Sequence, residues 1–357
     1  MKTLNTLYEL FHNSIEKFSQ KAAFTMFGGE DVSFKEVGKR VKEVQDLLVG
    51  AGLNAGDKVA ILSSSMPNWG VCYFAVVTAG MVAVPILPDF TGADLDILIK
   101  HSEAKALLVS DKLFTKLSKE TAAKLNIIIR TKNLGVISQT VKAEGSTAIP
   151  KAEDLAAIIY TSGTTSTPKG VMLTHGNLAS QIHMLYDLYP IGPEDTMLSV
   201  LPMAHTYECS LGLIYIFSTG GTVTYLEKPP TPSVLMPALR RVRPTAFLIV
   251  PLIIEKIYRS QILAKFTSNA FWRALYNTAF TRRYLHRIAG KKLNKVFGGR
   301  ARLFIGGAKL DEQVAVLAGG KDSLRYRLRP HRNCSAGSRS DFARRKVGCY
   351  GPGNEGR

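Results

Sequence analysis

Cysteine is scarce in this 357-residue chain: four residues, Cys72, Cys209, Cys334 and Cys349, with no short spacing between any two. Such sparse thiols exclude a disulfide-stapled scaffold and supply no metal or redox motif. The first residues, MKTLNTLYELFHNSIEKF, lack the apolar stretch and small-residue cleavage site of a secretory signal, so the cytoplasm is the expected compartment. Long hydrophobic runs are also few. Residues 69–87, WGVCYFAVVTAGMVAVPIL, carry no charge over 19 residues, but Gly80 and Pro85 interrupt them. A buried helix, a turn at Gly80 and a buried strand are expected there instead of a membrane span. What is present in quantity is ordinary core material. Hydrophobic residues make up 46% and charged residues 21%, which excludes disorder over most of the chain.

The net charge of +18 suggests nucleic-acid binding until it is located. Residues 1–255 are neutral, with 23 basic and 23 acidic side chains. Residues 256–310 hold 13 basic residues and no acidic one. Residues 321–357 hold 10 basic and 3 acidic. Within the first cluster Trp272, Tyr276, Phe280 and Tyr284 recur every four residues, which predicts an amphipathic helix with cationic flanks. Two readings stay open for 256–302: a helix packed on its own domain with a solvated basic face, or peripheral attachment to an anionic membrane surface. No RNA or DNA motif accompanies the charge, so no nucleic-acid partner is expected.

Along residues 1–305, short apolar runs alternate with helix-length stretches. Strands are expected at 58–63, 83–87, 105–110, 155–160, 196–201, 221–226, 245–250 and 301–305. Helices are expected at 34–52 and 93–102, a loop at 140–153, and no internal repeat is visible. Alternation of this kind predicts an α/β fold of layered sheets sandwiched by helices.

The most informative segment is 155–175, LAAIIYTSGTTSTPKGVMLTH. An apolar strand runs into Thr161, Ser162, Gly163, Thr164 and Thr165, followed by Pro168, Lys169 and Gly170. Hydroxyl donors, a glycine that lets backbone amides turn inward, and a mobile cation together suit a polyphosphate. A plain Ser/Thr loop between strands is the competing reading. A Walker A loop is not, because Lys169 lies between Pro168 and Gly170 and no Gly-Lys-Ser/Thr is present there.

YTSGTTSTPKG closely resembles the phosphate-binding signature of the AMP-forming, adenylate-forming enzymes, a family of acyl-CoA synthetases, luciferases and peptide-synthetase adenylation domains. Ser166 stands where most members have glycine, a mild departure not expected to abolish phosphate binding. LNAGDKVAILSSSMPNW (53–69), LPMAHTYE (201–208), VRPTAFLIVPLIIEKIY (242–258) and LFIGGAKLDEQVA (303–315) are similar to further family segments. The combination His205-Thr206-Tyr207-Glu208 with a basic insert after Tyr258 resembles the long-chain fatty acyl-CoA synthetase branch.

The resemblance implies ATP-dependent conversion of a fatty acid to an acyl-adenylate and then to a thioester of coenzyme A, with Mg²⁺ assisting. It implies that Thr161, Ser162, Gly163, Thr164, Thr165 and Lys169 hold the phosphates, with Thr165 also near the metal. It places Gly306, Gly307 and Ala308 against adenine and the acyl pocket. His205 is implied at the junction of acyl group and nucleotide, as the candidate catalytic residue. Tyr207 and Glu208 are pocket candidates, or equally packing and a capping carboxylate.

Family members carry a Tyr-Gly-x-Thr-Glu signature soon after the Gly-Gly-Ala segment, but here the corresponding stretch reads GGKDSLRYRLRPHRN. Composition also changes: 24 Lys and 12 Arg precede residue 321, whereas 2 Lys and 8 Arg follow from there. Residues 1–318 are therefore expected to form a truncated AMP-binding domain, and 319–357 a basic tail that is disordered or out of frame. Such a chain is expected to be an impaired ligase. The alternative is a non-catalytic fragment that at most binds nucleotide or an anionic membrane surface.

Overall fold

The computed structural model describes residues 4–161, 168–249, 281, 284, 285, 298–300 and 302–305. In chain order come α1 (Leu7–Phe18), β1 (Ala22–Met26), β2 (Asp31–Ser33), α2 (Phe34–Val49), β3 (Lys58–Leu62), α3 (Pro67–Thr78), β4 (Val82–Pro85), α4 (Gly92–Ser102) and β5 (Ala104–Val109). Two short helices, α5 (Asp111–Phe114) and α6 (Lys119–Lys124), precede β6 (Ile127–Arg130) and β7 (Val136–Gln139). Then follow β8 (Leu155–Thr161), β9 (Lys169–Thr174), α7 (His175–Leu188) and β10 (Thr196–Ser199). A π-helical stretch (Glu208–Tyr215) continues into α8 (Ile216–Ser218), and β11 (Thr222–Tyr225), α9 (Pro232–Val242), β12 (Ala246–Ile249) and β13 (Arg302–Ile305) complete the order.

The strands form two sheets, ordered β13-β12-β10-β11-β1-β2 and β7-β6-β5-β3-β4-β8-β9. Pairing is parallel except for β1–β2, β6–β7 and β8–β9, so antiparallel pairing is confined to the edge strands β2, β7 and β9. Parallel strands buried on both faces need apolar side chains at successive positions. The core shows this directly. Val59 and Ile61 face one buried cluster, and Ala60 and Leu62 face another on the opposite side of β3.

The larger cluster lies between the sheets and takes in α1, α2, α3, α7 and the π-helical stretch. Phe217 is its aromatic centre, with ring centroids 4.6 Å from Phe34 and Phe74 and 5.6 Å from Phe11 and Phe24. The smaller cluster packs Leu95, Leu98 and Ile99 of α4 onto the outer face of the seven-stranded sheet.

Local signals explain where helices begin. Thr6 with Glu9, Thr91 with Asp94 and Thr174 with Asn177 form reciprocal caps at α1, α4 and α7. Helix α2 buries Val37, Val41, Val44 and Leu48 at helical spacing. Helix α3 is buried from Asn68 to Thr78, which accounts for its uninterrupted hydrophobicity without a membrane. Among the described residues no helix is long and apolar enough to cross a bilayer. The expected turn at Gly80 is present at φ +76°, and a Cβ there would stand 2.7 Å from the Ala148 carbonyl oxygen. The two helices and eight strands expected from the sequence are found, with ends displaced by three residues or fewer.

Candidate nucleotide site

Strand β8 runs parallel to β4, so Thr161 lies at the carboxyl end of the parallel strands, where open α/β sheets bind ligands. The chain then returns as β9 with Tyr160 opposite Gly170 and Thr161 opposite Lys169. Strands β8 and β9 are therefore an antiparallel pair, with Lys169 the first residue of β9 and exposed to solvent. Ser162, Gly163, Thr164 and Thr165 lie outside the described residues.

Two features fix the hairpin. A Cβ on Gly170 would meet Ile158 Cγ2 at 2.7 Å, so glycine is what allows the two strands to close. Tyr160 is buried, and its hydroxyl shares a 2.8 Å hydrogen bond with Nδ1 of His101 at the end of α4. Edge strand β9 also exposes Val171 and Met172, at 46% and 66% of full accessibility.

The second half of the site comes from the six-stranded sheet. Strands β10, β12 and β13 are parallel neighbours, and Ile249 is in register with Ile305. The turn 200–207 leaves β10 at the same carboxyl edge at which β13 ends. Gly306, Gly307 and Ala308 themselves lie outside the described residues. In the turn, His205 is exposed, and its Nδ1 accepts the Tyr207 amide at 3.2 Å. A ring that accepts at Nδ1 carries its neutral-state proton on Nε2, leaving that N–H as a donor.

Glu208 begins the π-helical stretch and is fully buried. Its Oε1 accepts the Ser199 hydroxyl at 2.5 Å, so the carboxyl is engaged by the architecture of the turn. Burial pushes its pKa up to about 8, against the lowering effect of Ser199, so the neutral acid is the form present below that pH. Tyr207 is half-buried, and burial first, then Glu208, raises its hydroxyl pKa. A small apolar cavity is lined by Leu185, Met197, Leu211, Tyr215, Ala246 and Leu248.

The two edges meet at Ser65, in the loop after β3. Its hydroxyl donates to the Leu201 carbonyl at 3.3 Å and accepts the Met203 amide at 3.2 Å. Neither Ser65, Ser199 nor His101 was singled out from the sequence. Single polar residues in loops announce no partner, and the only available signal was the position of Ser65 within SSSMPNW. Among the described residues no three His, Cys, Asp or Glu side chains are grouped to hold a metal. Trp272, Tyr276 and Phe280 of the basic stretch lie outside the described residues.

Two sheets of mainly parallel strands flanked by helices define an α/β class, and comparison with known proteins gives the family. The model of the AMP-binding enzyme family matches residues 11–319, so the chain belongs to that family. It is 26% identical over 366 residues to long chain acyl-CoA synthetase 1 of Arabidopsis thaliana, covering 87% of this chain and 54% of that one. Fatty acyl-CoA synthetase A of Dictyostelium discoideum is 26% identical over 324 residues, covering 80% and 47%. The chain thus spans about half the length of these curated relatives. The fold is that of ATP-bound MatB from Rhodopseudomonas palustris, with a TM-score of 0.68, 24% identity, and coverage of 89% of this chain and 58% of that one.

Proposed function

We propose that this chain carries the nucleotide-gripping and acid-activating part of an AMP-forming ligase that converts a fatty acid to acyl-adenylate and then to acyl-CoA. The observation that carries the reading is the register of β8 and β9, which sets Lys169 opposite Thr161 at the carboxyl edge of the sheet. Relatives named long chain and fatty acyl-CoA synthetases support the acyl class of substrate.

The chemical problem is one of charge. An anionic carboxylate must attack the α-phosphorus of a polyanion, and the leaving group is pyrophosphate. Lys169 and the hydroxyls and amides of 161–165 would hold the phosphates and offset their charge. Mg²⁺ would supply further neutralisation on the triphosphate, with Thr165 as a residue that would hold it. The Nε2–H of His205 would meet the carboxylate or the adenylate at the junction of the two sheets. Coenzyme A would be the acyl acceptor.

A second reading is a nucleotide-binding chain without turnover, favoured by the stretch GGKDSLRYRLRPHRN where a Tyr-Gly-x-Thr-Glu signature is expected. Fatty-acid-dependent exchange of pyrophosphate into ATP separates the two. Slow exchange that disappears in Lys169→Ala supports the ligase reading. ATP binding without exchange supports the second, and absence of both contradicts each.

A further inference from the structure

The turn 200–207 is tied down from two sides by groups to which the proposed chemistry gives no role. On the inside, Ser199 at the end of β10 is buried, donates to Glu208 Oε1 at 2.5 Å, and lies 3.7 Å from Met203 Sδ. Glu208 thereby closes the turn across its own base. The remaining carboxyl oxygen, Oε2, is buried with no hydrogen-bond partner among the described residues. The space around the carboxyl is tight: a Cβ on Gly212 would come within 3.0 Å of Glu208 Cδ. On the outside, Ser65 reaches over from the other sheet and takes both the Leu201 carbonyl and the Met203 amide. Between the clasps, His205 donates its own amide to Pro202 and accepts the Cys209 amide at its carbonyl, each at 2.9 Å. Its ring is held by the Tyr207 amide at 3.2 Å.

We propose that Ser65 and Glu208 are positioning residues for His205, clamping the 200–207 turn from opposite sides so that the imidazole keeps one orientation and presents Nε2–H outward. Ser65 also makes this orientation depend on the approach of the seven-stranded sheet to the six-stranded one. A wrong separation of the sheets would release Met203 and loosen the ring. That His205 faces a ligand rests on the proposed function, but the clamp itself does not.

Amide hydrogen exchange at Met203 and Tyr207 tests the clamp in the whole chain. Met203 N–H is bonded to Ser65 directly, whereas Tyr207 N–H is bonded to the His205 ring. In Ser65→Ala, exchange should accelerate on the order of tenfold or more at both amides, as expected when one hydrogen bond of about 1.4 kcal/mol is lost. Ser65→Thr, which restores the hydroxyl, should recover both. Glu208→Ala should accelerate Tyr207 likewise. Should that variant not fold, Ser65→Ala still decides, because Ser65 is only half-buried.

A response at Met203 with Tyr207 unchanged would overturn the proposal, since the clasp would then be local. The functional arm uses a non-hydrolysable acyl-sulfamoyl adenosine. Its affinity should fall in Ser65→Ala and in His205→Ala, and the double variant should be no weaker than His205→Ala alone. Additive losses would overturn the positioning role. If the wild-type chain does not bind the analogue while both amides respond as expected, the clamp stands and the nucleotide reading falls.

Discussion

Replacing Glu208 by glutamine should remove a large pH dependence of stability. The acid is buried, and its pKa is raised from 4.5 to about 8 in the folded chain. Between those values the folded state keeps a proton that the unfolded state releases, so stability falls as pH rises from 4.5 to 8. At about 1.4 kcal/mol per pH unit, the gap sets a ceiling of about 5 kcal/mol. That is a large share of the roughly 5–15 kcal/mol typical of a folded domain. Glutamine has nearly the same shape, still accepts from Ser199, and does not titrate. Urea unfolding of wild type and Glu208→Gln at pH 5 and pH 8 measures the difference directly. The stability gap between the two proteins should shift toward the variant by several kcal/mol on going from pH 5 to pH 8. Parallel behaviour at the two pH values would refute the buried neutral acid.

Other expectations follow from single contacts. His175 is fully buried, accepts the Leu7 amide at Nδ1, and burial holds its pKa down at about 4. The unfolded chain takes up that proton first, so stability should fall as pH drops from 6.5 to 4, by at most about 3 kcal/mol. His175→Gln should show a shallower acid loss in thermal melts, and an unchanged slope would contradict it. Gly80→Ala forces a side chain into a left-handed turn against the Ala148 carbonyl. It should cost about 2 kcal/mol or more by denaturant unfolding, and a neutral effect would contradict the turn geometry.

Much of the fold was legible because buried parallel strands advertise themselves. VAIL, ALLV and LAAIIY are continuous apolar runs since both faces of their sheets are covered. Of the strands that were not expected, β2 and β7 lie at edges with one partner each, whereas β1 and β6 are interior strands of five and four residues. Strand β9 is hard to see in KGVMLT because it is an edge strand with an exposed face and no clean alternation. Residue types marked 161–169 as a phosphate candidate, but the cross-strand placement of Lys169 opposite Thr161 was not legible, because strand pairing is a tertiary feature. The role of Glu208 in the turn could not be read from LPMAHTYE, since its partner Ser199 and the burial that neutralises it belong to tertiary structure.

The central claim is that the β8–β9 hairpin grips a nucleotide's phosphates. Titration calorimetry of the chain with MgATP, in wild type and Lys169→Ala, tests it most directly. Lys169 is exposed, so its removal should leave unfolding unchanged. Saturable binding by wild type, weakened on the order of tenfold or more in the variant, is the predicted result, corresponding to about 1.4 kcal/mol for one charge-assisted contact. Equal affinities in the two proteins, or no binding by either, would contradict the account.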